Sequence, residues 1–163
     1  VFDLITAVLV GTFVANLVTI RRLSEIQLDN IKWFTAQDEQ HLSSIERDLL
    51  TTLDDKVLLL SISGPIGFGV ARGLKQSVSK VDENKTLLID LTDARFVGIT
   101  STIVIEEIIM NYQNQGKKVL LSCICKRVRD DFNKLNLFNK ISSEHVFATR
   151  IAALNYLKQT LVK

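Results

Sequence analysis

Cysteine is nearly absent from this chain. Cys123 and Cys125 are the two present. A separation of two in a strand-like run puts both on one face, a poor geometry for a disulfide. Neither His41 nor His145 lies at a ligand-like spacing from them, so no metal site is expected. Two buried thiols in a reducing compartment are expected instead. Charge of one sign is also lacking. Twenty Lys and Arg face 18 Asp and Glu, a net charge of +2. That field is too weak to point to nucleic acid or acidic substrates. Aromatic residues make up 7% of the chain and do not interleave with basic ones, which argues further against nucleic acid. Catalytic signatures are missing too. There is no Gly-x-Ser-x-Gly elbow and no histidine beside a nucleophile. Gly67–Lys75 (GFGVARGLK) has the wrong glycine spacing for a phosphate loop, and no Ser or Thr follows Lys75. It misses the dinucleotide fingerprint as well. Glu106 and Glu107 adjoin on a helix and point apart, a poor acid/base pair. No enzyme activity, catalytic residue, cofactor or metal is expected.

The strongest positive signal is a stretch without charge. Leu4–Ile20 (LITAVLVGTFVANLVTI) carries no ionisable side chain, and Arg21 and Arg22 follow at once. About 20 apolar residues in a helix cross a bilayer core. Basic residues beside a span are retained on the cytoplasmic side. The pattern predicts a transmembrane helix over residues 1–22, in contact with membrane lipid, a connector over 23–53 and a cytoplasmic domain over 54–163. A signal peptide would carry its basic residues before the apolar run. A core helix would show a polar stripe, which Thr6, Thr12, Asn16 and Thr19 do not make. A single span that starts at Val1 is expected to be a piece of a longer polytopic protein.

The connector shows a weak helical period through Ile31, Phe34, Leu42, Ile45 and Leu49. Trp33 and Phe34 fit either the lipid headgroups or the domain surface. Beyond it, apolar runs alternate with amphipathic ones. Lys56–Ser63, Leu87–Leu91 and Lys118–Ile124 read as buried strands, with His145–Phe147 as a short last strand. Helices are expected after each: one through Val70, Leu74 and Val78, a long one from Thr100–Thr102 to Gly116, one through Val128, Phe132 and Leu135, and a last one capped by Thr149. This alternation predicts an α/β fold, a mainly parallel or mixed sheet covered by helices.

One segment stands out. Asp90–Thr102 (DLTDARFVGITST) leaves a strand, with Asp90 as the charge in an otherwise apolar run, and enters a helix through a hydroxyl-rich loop. Ligands and regulators meet open α/β sheets at the carboxyl ends of strands. Thr100, or a neighbour, fits there as a helix cap. A phosphate on it would also be stabilised by free backbone N–H groups.

Val57–Ala71 (VLLLSISGPIGFGVA) together with Thr86–Glu107 (TLLIDLTDARFVGITSTIVIEE) resembles the STAS domain, which is named for sulphate transporters and anti-sigma factor antagonists. Gly64, Pro65 and Phe68 after the first strand resemble the SulP transporter branch, as do Asp3–Ala7 opening the apolar helix and the arginine pair. Phe96–Ser101 and Gly64–Ala71 are similar to cyanobacterial sodium-dependent bicarbonate transporters of the SulP type. The resemblance implies a STAS-like mixed β-sheet flanked by helices and preceded by one transmembrane helix. It implies a cytoplasmic regulatory and dimerisation module of a multi-pass inner-membrane anion transporter, carrying bicarbonate or sulphate, with the rest of the transporter as partner. In the antagonists an Asp-Ser-Ser-Gly-like loop carries the phosphorylated serine. Here the loop reads Gly98-Ile99-Thr100-Ser101, without the acidic residue and the glycine, so Thr100 falls closest and Ser101 follows. A soluble anti-anti-sigma-like switch that binds a kinase is the alternative. A homodimer is expected through Ile103, Ile105 and Ile109, through the first strand's edge, or through the connector.

Overall fold

A computed structural model of the chain describes residues 3–28, 30–38, 40–53, 56–78, 85–122 and 124–161, without the side chains at 20–28, 68 and 69. The fold is a mixed α/β sheet flanked by helices. Five strands lie in the order β1-β2-β4-β6-β7: Ile31–Phe34, Val57–Ile62, Thr86–Asp90, Val119–Ser122 and Val146–Phe147. β1 is antiparallel to β2, and the remaining pairs are parallel. A two-stranded ribbon pairs β3 (Gly64–Ile66) with β5 (Ala94–Val97). The central strands are continuous apolar runs because both faces are covered. One face buries Leu60, Ile62, Leu87, Ile89 and Leu121 with residues of α3 (Phe68–Val78), α4 (Ile99–Asn114) and α5 (Lys126–Lys134). The other buries Leu59, Leu88 and Leu120 with residues of α2 (Ser44–Leu53) and α6 (Arg150–Leu161).

The helix ends follow local chemistry. Ser43 and Glu46 form a capping box for α2: the Ser43 backbone N–H donates to Glu46 Oε2 at 2.8 Å, and the Glu46 N–H donates to Ser43 Oγ at 3.3 Å. Thr149 caps α6 by accepting from the Ala152 N–H at 3.2 Å. Gly116, at φ +73°, ends α4 in a Schellman turn. There Lys117 N–H donates to the Tyr112 carbonyl and Gly116 N–H to that of Gln113.

Several expectations change. The residues read as a connector enter the body. Ile31–Phe34 is a strand, because Trp33 and Phe34 suit a pleated edge and β2 offers a free ladder. Leu49, Leu50 and Leu53 of α2 are core. Gly64-Pro65, just after the first expected strand, begins β3, and the hydroxyl-rich loop contains β5. Thr100 does not cap α4. The cap is Gly98, and Thr100 is the helix's second residue. Ile105 and Ile109 belong to the core, which removes them from any dimer face, while Ile103 is exposed. Cys125 is exposed rather than buried, and Cys123 lies outside the described residues.

α1 (Leu4–Leu28) is a 25-residue helix that runs on past Arg21-Arg22 and contacts α3. Every side chain from Leu4 to Thr19 is exposed, so this segment is not a core helix of its own domain. Among the described residues no helix is long and apolar enough to cross a membrane. The complete span expected over residues 1–22 is therefore not met within them. Val1, Phe2 and the side chains at 20–28 lie outside the description.

Candidate functional site

The strand register places a polar row across the sheet. Lys32 on β1 pairs with Ser61 on β2, Ser61 with Asp90 on β4, and Asp90 with Ser122 on β6. Paired residues project from the same face, and this is the face that carries α2 and α6. The row lies at the carboxyl ends of the parallel strands, where an α/β sheet offers ligand sites. Below it, toward the strand starts, the same face is apolar through Leu59, Leu88 and Leu120.

Asp90 is fully buried. A carboxylate at such depth needs a cation and hydrogen-bond donors to stay charged. It has both. Arg150 Nη2 donates to Oδ2 at 2.6 Å. Thr92 Oγ1 and Ser122 Oγ donate to Oδ1 at 2.7 and 3.0 Å. Arg150 opens α6 and reaches back over the sheet. Its Nη1 lies 3.4 Å from Glu46 Oε1 and donates to the His41 carbonyl at 3.3 Å. Its guanidinium carbon sits 5.7 Å from the centre of the Phe34 ring, and Phe34 stacks on His41 with ring centroids 5.3 Å apart. One guanidinium therefore joins β4, α6, α2 and β1.

Beside the pair, a cavity of about 560 Å³ opens where β1, the β2–β3 junction and the 92–95 segment meet. Lys32, Ser61, Ser63, Thr92, Asp93 and Arg95 supply its polar groups, and Phe34, His41 and Pro65 its walls.

The expected modification loop lies away from this cavity. Thr100 is exposed. Ser101 is fully buried, with its Oγ 3.1 Å from the Ile66 carbonyl and 2.9 Å from that of Gly67. Its hydroxyl thus fastens α4 to the turn between β3 and α3. Gly64 and Pro65 line the cavity, whereas Phe68 begins α3 and its side chain is not described. Asp90 is at the centre of the buried network. Sequence reasoning missed Lys32, Glu46, Ser61, Ser122 and Arg150. A signal existed for one of them: a carboxylate inside an apolar strand requires a cation partner. Spacing alone does not select Arg150, 60 residues away. Among the described residues, no group of three or more His, Cys, Asp or Glu side chains is arranged to hold a metal ion.

The family model described as the STAS domain matches residues 49–153. A bicarbonate transporter, BicA, from Synechocystis sp. is 31% identical over 153 residues, covering 93% of this chain and 27% of that protein. The chain thus spans about a quarter of that relative's length. Two solved structures share the fold. The SulP transporter STAS domain from Vibrio cholerae matches with a TM-score of 0.62 and 21% identity, covering 74% of this chain and 100% of that one. A sulfate transporter family protein from Wolinella succinogenes matches with a TM-score of 0.62 and 23% identity, covering 68% of this chain and 91% of that one.

Proposed function

The chain belongs to the STAS domain family, and we propose that it is the cytoplasmic regulatory and assembly module of a SulP-type anion transporter, attached through α1 to the membrane part. The parent protein, on this reading, takes up bicarbonate or sulphate in a sodium-coupled step. Two things support it: the bicarbonate transporter aligned over 93% of the chain, and the nature of α1.

The carrying observation is the exposure of α1. Leu4, Ile5, Leu9 and Phe13 are each more than 60% exposed, and Val8, Val10, Val14, Leu17 and Val18 are exposed around the same helix. A continuous apolar surface of this kind is not stable facing water and marks a membrane or protein contact. It goes all round the helix, which suits lipid better than a one-sided docking groove. The uncharged stretch ends at Arg21-Arg22, and basic residues beside a membrane segment favour the cytoplasmic side.

The module would act on the transporter through its own surfaces. Thr100 offers an exposed hydroxyl for phosphorylation at the start of α4, where the added charge favours the helix dipole. Ile99, Ile103 and Met110 are exposed apolar residues of α4 that would serve self-association. Alkaline carbonate extraction of membranes from cells that express the intact chain tests the reading. The chain is expected in the pellet, and Leu9→Arg with Val14→Arg should move it to the supernatant. An intact chain that partitions to the supernatant and stays monodisperse in plain buffer would overturn it.

A further inference from the structure

We propose that the cavity at the carboxyl edge of the sheet binds a phosphate ester, with the oxyanion held between Lys32 and Arg95. The polar row accounts for the charge of this cavity. Asp90 spends its negative charge inward, on Arg150, Thr92 and Ser122. Glu46 is likewise engaged with Arg150. Two cations, Lys32 and Arg95, remain on the cavity side, and among the described residues neither makes an ion pair. One carboxylate, Asp93, lines the cavity against these two cations. An edge-strand lysine alone is ordinary protection against sheet extension. Here Lys32 stands directly across from the nearly buried Ser61 hydroxyl. Ser63 and Arg95 line the same space. Hydroxyl and guanidinium or ammonium donors converging on one cavity are the donor set for a phosphate-type oxyanion.

The volume says that the anion is not the whole ligand. About 560 Å³ far exceeds an inorganic ion and falls in the range of small-molecule sites. The Phe34–His41 stack and Pro65 give an apolar wall for an organic remainder. Two sources share this chemistry: a soluble phosphate monoester and the phosphodiester headgroup of an anionic lipid. The second has a structural argument. α1 ends at Leu28. The Asn30 amide lies within 3.3 Å of where a Cβ on Gly64 would stand, at the cavity wall. The cavity therefore opens near the foot of α1. The lipid source rests on the membrane reading of α1 given above, and the oxyanion chemistry does not.

The test uses the intact, nitrogen-15-labelled chain in phosphatidylcholine nanodiscs. Glycerol 3-phosphate is titrated against chloride at matched ionic strength, and a second sample carries phosphatidylglycerol in the disc. Saturable shifts of the Gly64 and Ala94 amides with glycerol 3-phosphate identify a soluble source. The same shifts with phosphatidylglycerol alone identify a lipid source. In either case Lys32→Gln and Arg95→Gln should each weaken binding by about tenfold or more, the effect of losing a hydrogen bond to a charged group. Both side chains are exposed, so the remaining amide spectrum should not change. Ser61→Ala, with both cations kept, should weaken binding by less. Absence of saturable shifts in both samples would overturn the proposal, as would shifts that persist in the double variant. Should α1 fail to hold the chain in the disc, the same glycerol 3-phosphate titration runs in buffer, so failure of the anchor and failure of the site are read separately.

Discussion

Arg150 Nη2 lies 2.6 Å from Asp90 Oδ2, and the carboxylate has no solvent contact. The pair connects the last helix to the middle strand of the sheet. Through Glu46 and the His41 carbonyl it also fastens the segment that follows α1 and β1.

Breaking this pair on one side should be costly. Arg150→Met leaves the Asp90 charge buried beside two hydroxyls and without its cation, and should lower stability by about 3–5 kcal/mol. Asp90→Leu combined with Arg150→Met removes both charges and should recover much of that loss, because the two sites are coupled. Chemical denaturation followed by circular dichroism gives both values. Equal and additive losses would show that the pair is not a unit.

The two neighbouring hydroxyls of the α4 start should behave oppositely. Ser101→Ala removes a buried donor that serves the Ile66 and Gly67 carbonyls, and should cost about 1–3 kcal/mol. Thr100→Ala touches an exposed position and should stay within about 0.5 kcal/mol. Phosphomimetic Thr100→Glu should fold, and Ser101→Glu should not. Thermal melts of the four variants check the order.

Much of the fold was legible in the residues. The runs Val57–Ile62, Thr86–Asp90 and Val119–Ser122 are apolar because they are covered on both faces, and their length and flanks say so. Glycine at 116 and threonine at 149 mark helix ends by local chemistry. What was not legible depends on partners distant in the chain. Ile31–Phe34 becomes a strand because β2 has an open edge, which no local pattern reports. The Gly64–Ile66 ribbon exists through Ala94–Val97. Ile105 and Ile109 looked surplus to a one-faced helix, yet α4 is covered on a broader arc by α3, α5 and the sheet. The site was half legible: Asp90 announced a buried charge, and Arg150 emerged only when α6 folded back over the strands.

Two glycines separate backbone strain from crowding. Gly116 and Gly64 sit at φ +73° and +70°. A Cβ at Gly116 meets nothing within 4 Å, whereas at Gly64 it meets the Asn30 amide at 3.3 Å. Each alanine should cost about 1–2 kcal/mol for the left-handed backbone. Gly64→Ala should cost more than Gly116→Ala, and Asn30→Ala should narrow the difference. Equal melting shifts for the two glycine variants would deny the crowding at Asn30.

The central claim is that α1 sits in lipid and hangs a STAS domain beneath it. Phe13 lies midway along the apolar stretch and is 64% exposed. A Phe13→Trp, Trp33→Phe chain in liposomes of acyl-brominated phosphatidylcholine measures its depth directly. Fluorescence quenching should be strongest with bromine near the acyl-chain ends and weakest with bromine near the headgroups. Emission that no brominated lipid quenches would place residue 13 outside the bilayer and contradict the account.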